Sequence, residues 1–264
     1  MYFVVILGPA GSGKSHLAAA FADWMEANEL DVARLNLDPA VEWLPYNPDV
    51  DVRDYVNARK VMEEYQLGPN GAMIASVDML IKYIDKIRED VEATRANYVV
   101  VDTPGQMELF AFRETGPIVL SKLLEGYRSA AVFLIDAVMA SKPSSLASSI
   151  LLANSVRFRL KLPQINAVSK ADLLDKSSME EIERMMNDPD YFYSKLVEER
   201  VDPLQAEAFA RLLEALQPSG ASLEAAVRFV SAVSGYGLDD LYAAVQQVLI
   251  GGEDFFTEEP NPRL

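Results

Sequence analysis

Gly8-Pro9-Ala10-Gly11-Ser12-Gly13-Lys14-Ser15 decides the fold. The stretch fits the pattern G-x-x-x-x-G-K-[ST] at every position. Glycines let backbone N–H groups turn inward around phosphate oxygens, and the start of a helix adds a favourable dipole. Lys14 is placed to reach the β- and γ-phosphates, and Ser15 to offer a hydroxyl to Mg²⁺. The context agrees: an apolar run, Phe3–Leu7, precedes the stretch, and a helical segment from Lys14 to about Asn28 follows it. Gly11, Ser12, Gly13, Lys14 and Ser15 are therefore the expected triphosphate ligands. The bland alternative is a glycine-rich strand-to-helix turn that binds nothing. His16, the only histidine, is grouped with the nucleotide-binding residues by position. A packed or solvent-facing role is its plainer reading.

Working outward, short apolar β-branched runs alternate with longer helical ones. Strands are expected at Phe3–Leu7, Val32–Leu37, Tyr98–Asp102, Ala130–Asp136, Gln164–Ser169 and Ala226–Ser231. Each is nearly continuously apolar, as in a parallel sheet covered on both faces. The alternation predicts a three-layer α/β/α P-loop fold with a mostly parallel sheet. Residues 1–250 read as one domain with helical insertions at about 39–95 and 175–223. Turn signals in the first insertion are Pro45, Pro48 and Gly68-Pro69-Asn70-Gly71; Asp188-Pro189 and Asp202-Pro203 break the second. Residues 251–264, with four acids among them, read as an acidic, solvated tail.

The 264 residues carry 40 acidic and 24 basic side chains, a formal net charge of -16. Such a surface repels phosphate backbones and anionic headgroups, so neither nucleic acid nor membrane is an expected partner. No cysteine is present, which excludes disulfides and thiolate metal sites. Met1 leads straight into the first apolar run, and no apolar stretch is long enough for a membrane helix. A cytoplasmic protein is expected.

Val99-Val100-Val101-Asp102-Thr103-Pro104-Gly105-Gln106 is an apolar strand ending in an acid. An acid there is the Mg²⁺-side carboxylate of a P-loop enzyme. Asp-Thr-Pro-Gly-Gln is similar to the switch II motif of GTPases: Gly105 N–H would sense the γ-phosphate, and Gln106 would orient the attacking water. As structure alone, Asp-x-Pro-Gly is an ordinary exit from a strand. Glu108 is a candidate holder of metal-bound water or a solvated turn residue. Asn36-Leu37-Asp38-Pro39-Ala40 closes the second strand. It puts Asp38 at the sheet edge where such folds bind ligands. Asp38 is a candidate general base, or a ligand to metal-bound water, or simply a turn residue.

Ser169-Lys170-Ala171-Asp172-Leu173 follows the fifth strand and resembles the guanine-specificity motif Asn-Lys-x-Asp. There the aspartate accepts bonds from guanine N1–H and the exocyclic amine, a donor pair adenine lacks. Lys170 would lie along the base plane with its stem. Ser169 departs from the motif's asparagine, and a hydroxyl spans less distance than an amide. Ser231-Ala232-Val233 resembles the short Ser-Ala-x motif whose backbone meets the guanine carbonyl.

In this order the motifs resemble those of the GPN-loop GTPases, within the SIMIBI class of P-loop proteins. The family is named for Gly68-Pro69-Asn70, and it commonly has Ser-Lys-x-Asp. The match runs from Gly8 to about Leu249, and the compact length looks like the archaeal branch. The resemblance implies a homodimer in which Gly68-Pro69-Asn70 of one subunit enters the other's nucleotide site. Asn70 would touch the phosphate region there. Related SIMIBI ATPases use an early P-loop lysine, where Pro9 and Ala10 stand here. Without the resemblance, Gly-Pro-Asn-Gly is simply a strong turn.

The expected activity is Mg²⁺-dependent hydrolysis of GTP to GDP by a dimeric switch. Asp38, Gln106, Glu108 and Asn70 are its catalytic candidates, and Ser15, Asp102 and Asp38 its metal-side candidates. By resemblance, the client would be a protein assembly such as RNA polymerase or its assembly factors. Rivals are a P-loop phosphotransferase and a SIMIBI-type ATPase. The apolar positions Ile118, Val119, Leu120, Leu123 and Leu124 read as core or as a peptide-binding face. The set Met179, Met185 and Met186 reads as core or dimer packing.

Overall fold

The computed structural model describes residues 1–216 and 227–250, with the side chains of Glu108 and Leu109 left aside. The acidic-tail assignment for 251–264 lies outside the described residues. Along the chain come β1 (Tyr2–Leu7), α1 (Lys14–Ala27), β2 (Val32–Asn36), β3 (Val50–Asp51), α2 (Ala58–Glu64), α3 (Pro69–Leu80) and α4 (Ile84–Thr94). Then follow β4 (Tyr98–Asp102), α5 (Met107–Ala111), α6 (Thr115–Leu123), β5 (Arg128–Asp136), α7 (Ala137–Ala140), α8 (Pro143–Leu160) and β6 (Gln164–Ser169). The chain continues with α9 (Lys176–Asn187), α10 (Pro189–Glu198), α11 (Pro203–Leu216), β7 (Arg228–Val230) and α12 (Leu238–Ile250).

The strands form one seven-stranded sheet in the order β3-β2-β4-β1-β5-β6-β7. Every pairing is parallel. The near-continuous apolar strands have their reason in the two cores. Phe3, Val5 and Leu7 of β1 face one, and Val4 and Ile6 face the other. Val99 and Val101 of β4 divide from Tyr98 and Val100 in the same way. The first core lies under α3, α4, α6 and α8–α11; the second lies under α1 and α12. This is the three-layer α/β/α arrangement.

Three local readings are refined. The segment 39–95 is not wholly helical, because Val50–Asp51 adds a parallel edge strand beside β2. Gly68-Pro69-Asn70-Gly71 is the start of α3, with Gly68 as N-cap and Pro69 in the first turn. Proline suits that position, since its missing N–H would be unpaired there anyway. Both Asp-Pro breaks are restarts: Asp188 caps Tyr191 N, and Asp202 accepts from Leu204 N and Gln205 N at 3.0 and 3.2 Å. The apolar stripe on α6 is core at Val119, Leu120, Leu123 and Leu124, with Ile118 exposed. Met185 and Met186 are core too.

Gly116 marks how tightly α6 is seated. A Cβ there would lie 1.9 Å from the Phe110 carbonyl oxygen, a backbone atom that cannot swing aside. Gly116→Ala is expected to destabilise the chain by roughly 3 kcal/mol through overpacking, read by urea denaturation. Gly71→Ala is the control: its Cβ would meet Leu67 at an ordinary 3.6 Å. Losing a helical glycine there should gain about 0.5–1 kcal/mol.

Candidate functional site

The C-terminal ends of the central strands converge on the loop between β1 and α1, the usual ligand edge of an open parallel sheet. Gly13 caps α1 with φ 90°, a left-handed conformation that favours glycine. Gly8, with φ +148°, sits so close to the turn that a Cβ would be 2.7 Å from Ser12 Oγ. Lys14 is buried, and its ammonium donates to Gly8 O (2.8 Å), Pro9 O (3.0 Å) and Gly105 O (3.2 Å). Ser12 Oγ is buried with no hydrogen-bond partner among the described residues. A buried hydroxyl without a partner is costly, and a ligand oxygen would relieve it.

Asp102 ends β4 and is 1% exposed. Its Oδ2 accepts from Tyr46 Oη at 3.0 Å, while Oδ1 has no hydrogen-bond partner among the described residues. Burial pushes its carboxyl up to about 6; the Ser15 and Tyr46 hydroxyls and the Lys14 charge oppose that, and Asp38 adds to it. The same burial beside Asp102 raises the Tyr46 phenol far above its ordinary range. A half-satisfied buried carboxylate beside Ser15 fits a divalent cation. Mg²⁺ takes few protein ligands and completes its shell with phosphate oxygens and water.

Asp38 stands against this turn, half-buried. Its Oδ2 accepts from Gly105 N at 2.8 Å and its Oδ1 from Ala40 N at 2.8 Å. Asn36 fixes the approach, accepting from Asp38 N at 3.0 Å and donating to Asp38 O and to Asp51. Both polar atoms of Gly105 are thus bonded to groups expected at a γ-phosphate: its N–H to Asp38 and its carbonyl to Lys14. Thr103 anchors the turn by donating to Ile6 O at 2.7 Å. Gln106 is partly buried just before α5. Glu108 lies on α5, its side chain outside the described residues.

The base-side loop is tied to the phosphate loop. Ser169 Oγ donates to Ser12 O at 2.7 Å, so the short hydroxyl reaches the P-loop backbone after all. Lys170 Nζ donates to Gly11 O at 2.8 Å, and its Cε would lie 3.9 Å from a Cβ on Gly13. Asp172 is exposed on the following turn, with Oδ1 accepting from the buried Ser231 hydroxyl at 2.5 Å. Ser231 Oγ also accepts from Val233 N and Ser234 N at 3.2 Å. The chain through Ser231, Ala232 and Val233 is thereby folded around Asp172.

Four expected residues lie at the margin. His16 is exposed in α1, its ring 6.2 Å from that of the exposed Trp43. Gly68, Pro69 and Asn70 are exposed at the start of α3. Tyr46 and Asp136, which no motif marks, are bonded to the candidate residues Asp102 and Lys170. Tyr46 falls among turn residues with no periodicity, and Asp136 carried no motif beyond closing a strand.

Comparison with known proteins supplies the family. The family model described as "Conserved hypothetical ATP binding protein" matches residues 6–250. A crystal structure of a GTPase in apo form from Pyrococcus abyssi is 32% identical, with a TM-score of 0.79, covering 93% of this chain and 96% of that one. GPN-loop GTPase 1 of Dictyostelium discoideum is 33% identical over 92% of this chain and 60% of its own length. The chain belongs to the GPN-loop GTPase family. GPN-loop GTPase QQT1 of Arabidopsis thaliana is 35% identical over 64% of this chain and 58% of its own. The chain therefore spans about 60% of the Dictyostelium relative's length. The family's Gly-Pro-Asn signature is the N-terminus of α3 here. Among the described residues, no helix is long and apolar enough to cross a membrane.

Proposed function

We propose that the protein binds GTP with Mg²⁺ and hydrolyses it to GDP and phosphate. The observation that carries the guanine reading is the Asp172 carboxylate, held by buried Ser231 on a loop bonded to the phosphate loop. Its exposed face is free to take two guanine donors. The description of the family model mentions ATP, whereas the relatives' names say GTPase. Asp172 supports guanine.

Lys14 and the amides of residues 11–15 would stabilise charge on the phosphate oxygens. Ser15 and Asp102 would hold the Mg²⁺, which when bound neutralises charge on the β- and γ-oxygens. Water oxygen bonds to the γ-phosphorus as the bond to the bridging oxygen breaks, and one proton is released. Gln106, Asp38 and Glu108 are the groups to orient that water or take its proton. Asp38 must first leave Gly105 N–H, and a γ-phosphate oxygen is a suitable replacement acceptor. Lys14 likewise exchanges Gly105 O for phosphate. The bonds joining these groups to Gly105 are thus the ones that a triphosphate would replace.

Asn70, exposed at the start of α3, is suited to reach a second subunit's phosphate region, so the active form would be a homodimer. A protein client such as RNA polymerase or its assembly factors rests on the family resemblance. The charge of -16 supports a protein rather than nucleic acid or membrane.

The test is phosphate release from GTP and Mg²⁺ without any acceptor. A phosphotransferase would release little, and a GTPase turns over. Gln106→Ala should slow release by roughly a hundredfold, as loss of water orientation does, with GTP affinity retained. Unchanged turnover would remove Gln106 from the mechanism.

A further inference from the structure

We propose that Asp136 is a positioning residue for nucleotide affinity, acting through Lys170; this rests on the reading of Ser169–Asp172 as the base-side loop. Asp136 ends β5 and divides its two carboxylate oxygens. Oδ1 accepts from Val138 N at 2.8 Å and caps α7. Oδ2 pairs with Lys170 Nζ at 2.6 Å, with side-chain exposures of 19% and 40%. The same ammonium donates to Gly11 O in the phosphate loop.

Lys170 needs this support for two reasons. Its backbone is left-handed, with φ 58°, a conformation a non-glycine residue adopts only when its surroundings hold it there. Its long stem must also lie beside Gly13 to form one wall of the base site, which costs side-chain entropy. An aspartate anchored by its own helix cap is a rigid acceptor, since Oδ1 is already fixed. It aims the ammonium at Gly11 O, so the phosphate loop and base loop are braced through one lysine. Ser169 Oγ provides the parallel brace to Ser12 O.

Position and charge make opposite demands on Asp136. A carboxylate near a bound polyphosphate repels it, so if Asp136 acted only through its charge, neutralising it would tighten binding. If Asp136 positions Lys170, neutralising it weakens binding despite the lost repulsion. The sign of the change separates the two.

The experiment uses Asp136→Asn in the full chain, since asparagine caps a helix about as well as aspartate and leaves α7 in place. Equilibrium binding of fluorescent GDP and GTP is measured for wild type, Asp136→Asn, Lys170→Met and the double variant. Asp136→Asn should weaken GDP and GTP alike by about tenfold, with the melting temperature little changed. The double variant should bind no worse than Lys170→Met. Tighter or unaltered binding by Asp136→Asn, or losses that add in the double variant, overturn the proposal. Wild type that fails to bind GTP would instead overturn the base-loop reading on which it rests.

Discussion

Asp102→Asn is expected to stop hydrolysis and yet stabilise the ligand-free chain. The buried carboxylate, raised to about 6 from 3.8, prefers its proton in the folded state. A raised folded value means that stability is greatest below the unfolded value and is lost as pH rises through the folded one. Above pH 6 the chain therefore carries a burial penalty at Asp102, about 3 kcal/mol for a shift of roughly two units. Asparagine removes that charge and keeps an acceptor for Tyr46. The variant should gain a few kcal/mol over wild type at pH 8 in urea denaturation, and the gain should vanish near pH 4. Phosphate release should fall by roughly a hundred- to a thousandfold, the scale for losing one electrostatic group of such a site. A variant less stable at pH 8 would contradict the reading of Asp102 as a half-satisfied charge kept for a ligand.

Asp172→Asn is the second large effect. Guanine offers two donors, N1–H and the exocyclic amine, to one carboxylate. Each hydrogen bond to a charged group is worth about 1.5–3 kcal/mol, so losing one pairing and leaving two donors opposed should weaken GTP by at least about a hundredfold. Xanthosine triphosphate carries a carbonyl where guanine has its amine. The asparagine amide can donate to that carbonyl while its oxygen accepts from N1–H and from Ser231. Binding of xanthosine triphosphate should therefore rise as GTP binding falls, measured by competition against a fluorescent nucleotide. GTP preference retained in the variant would remove Asp172 from base recognition.

Most of the scaffold was legible because burial wrote it into the chain. Tyr98–Asp102 and Gln164–Ser169 are continuous apolar runs between two cores, and both were delimited correctly from sequence. Val50–Asp51 was missed because two residues at a sheet edge carry no periodicity. Gly68-Pro69-Asn70-Gly71 was read as a turn because glycine then proline signals a turn and a helix start alike. The motif positions were visible since phosphate and base contacts demand particular residue types at fixed spacing. Their partners were not. Tyr46 reaches Asp102 from 56 residues away, and Asp136 reaches Lys170 across 34. Contacts between side chains so far apart in sequence depend on strand order, which local patterns do not encode. Nor did the sequence reveal that Asp38 and Lys14 share Gly105 between them.

The most direct test of the central claim is acceptor-free phosphate release from labelled GTP and Mg²⁺ with a tenfold excess of unlabelled ATP. Release that continues at nearly its uncompeted rate is the expected result, since adenine cannot satisfy Asp172. Release suppressed in proportion to the ATP added would contradict guanine recognition, and no release in either condition would contradict hydrolysis itself.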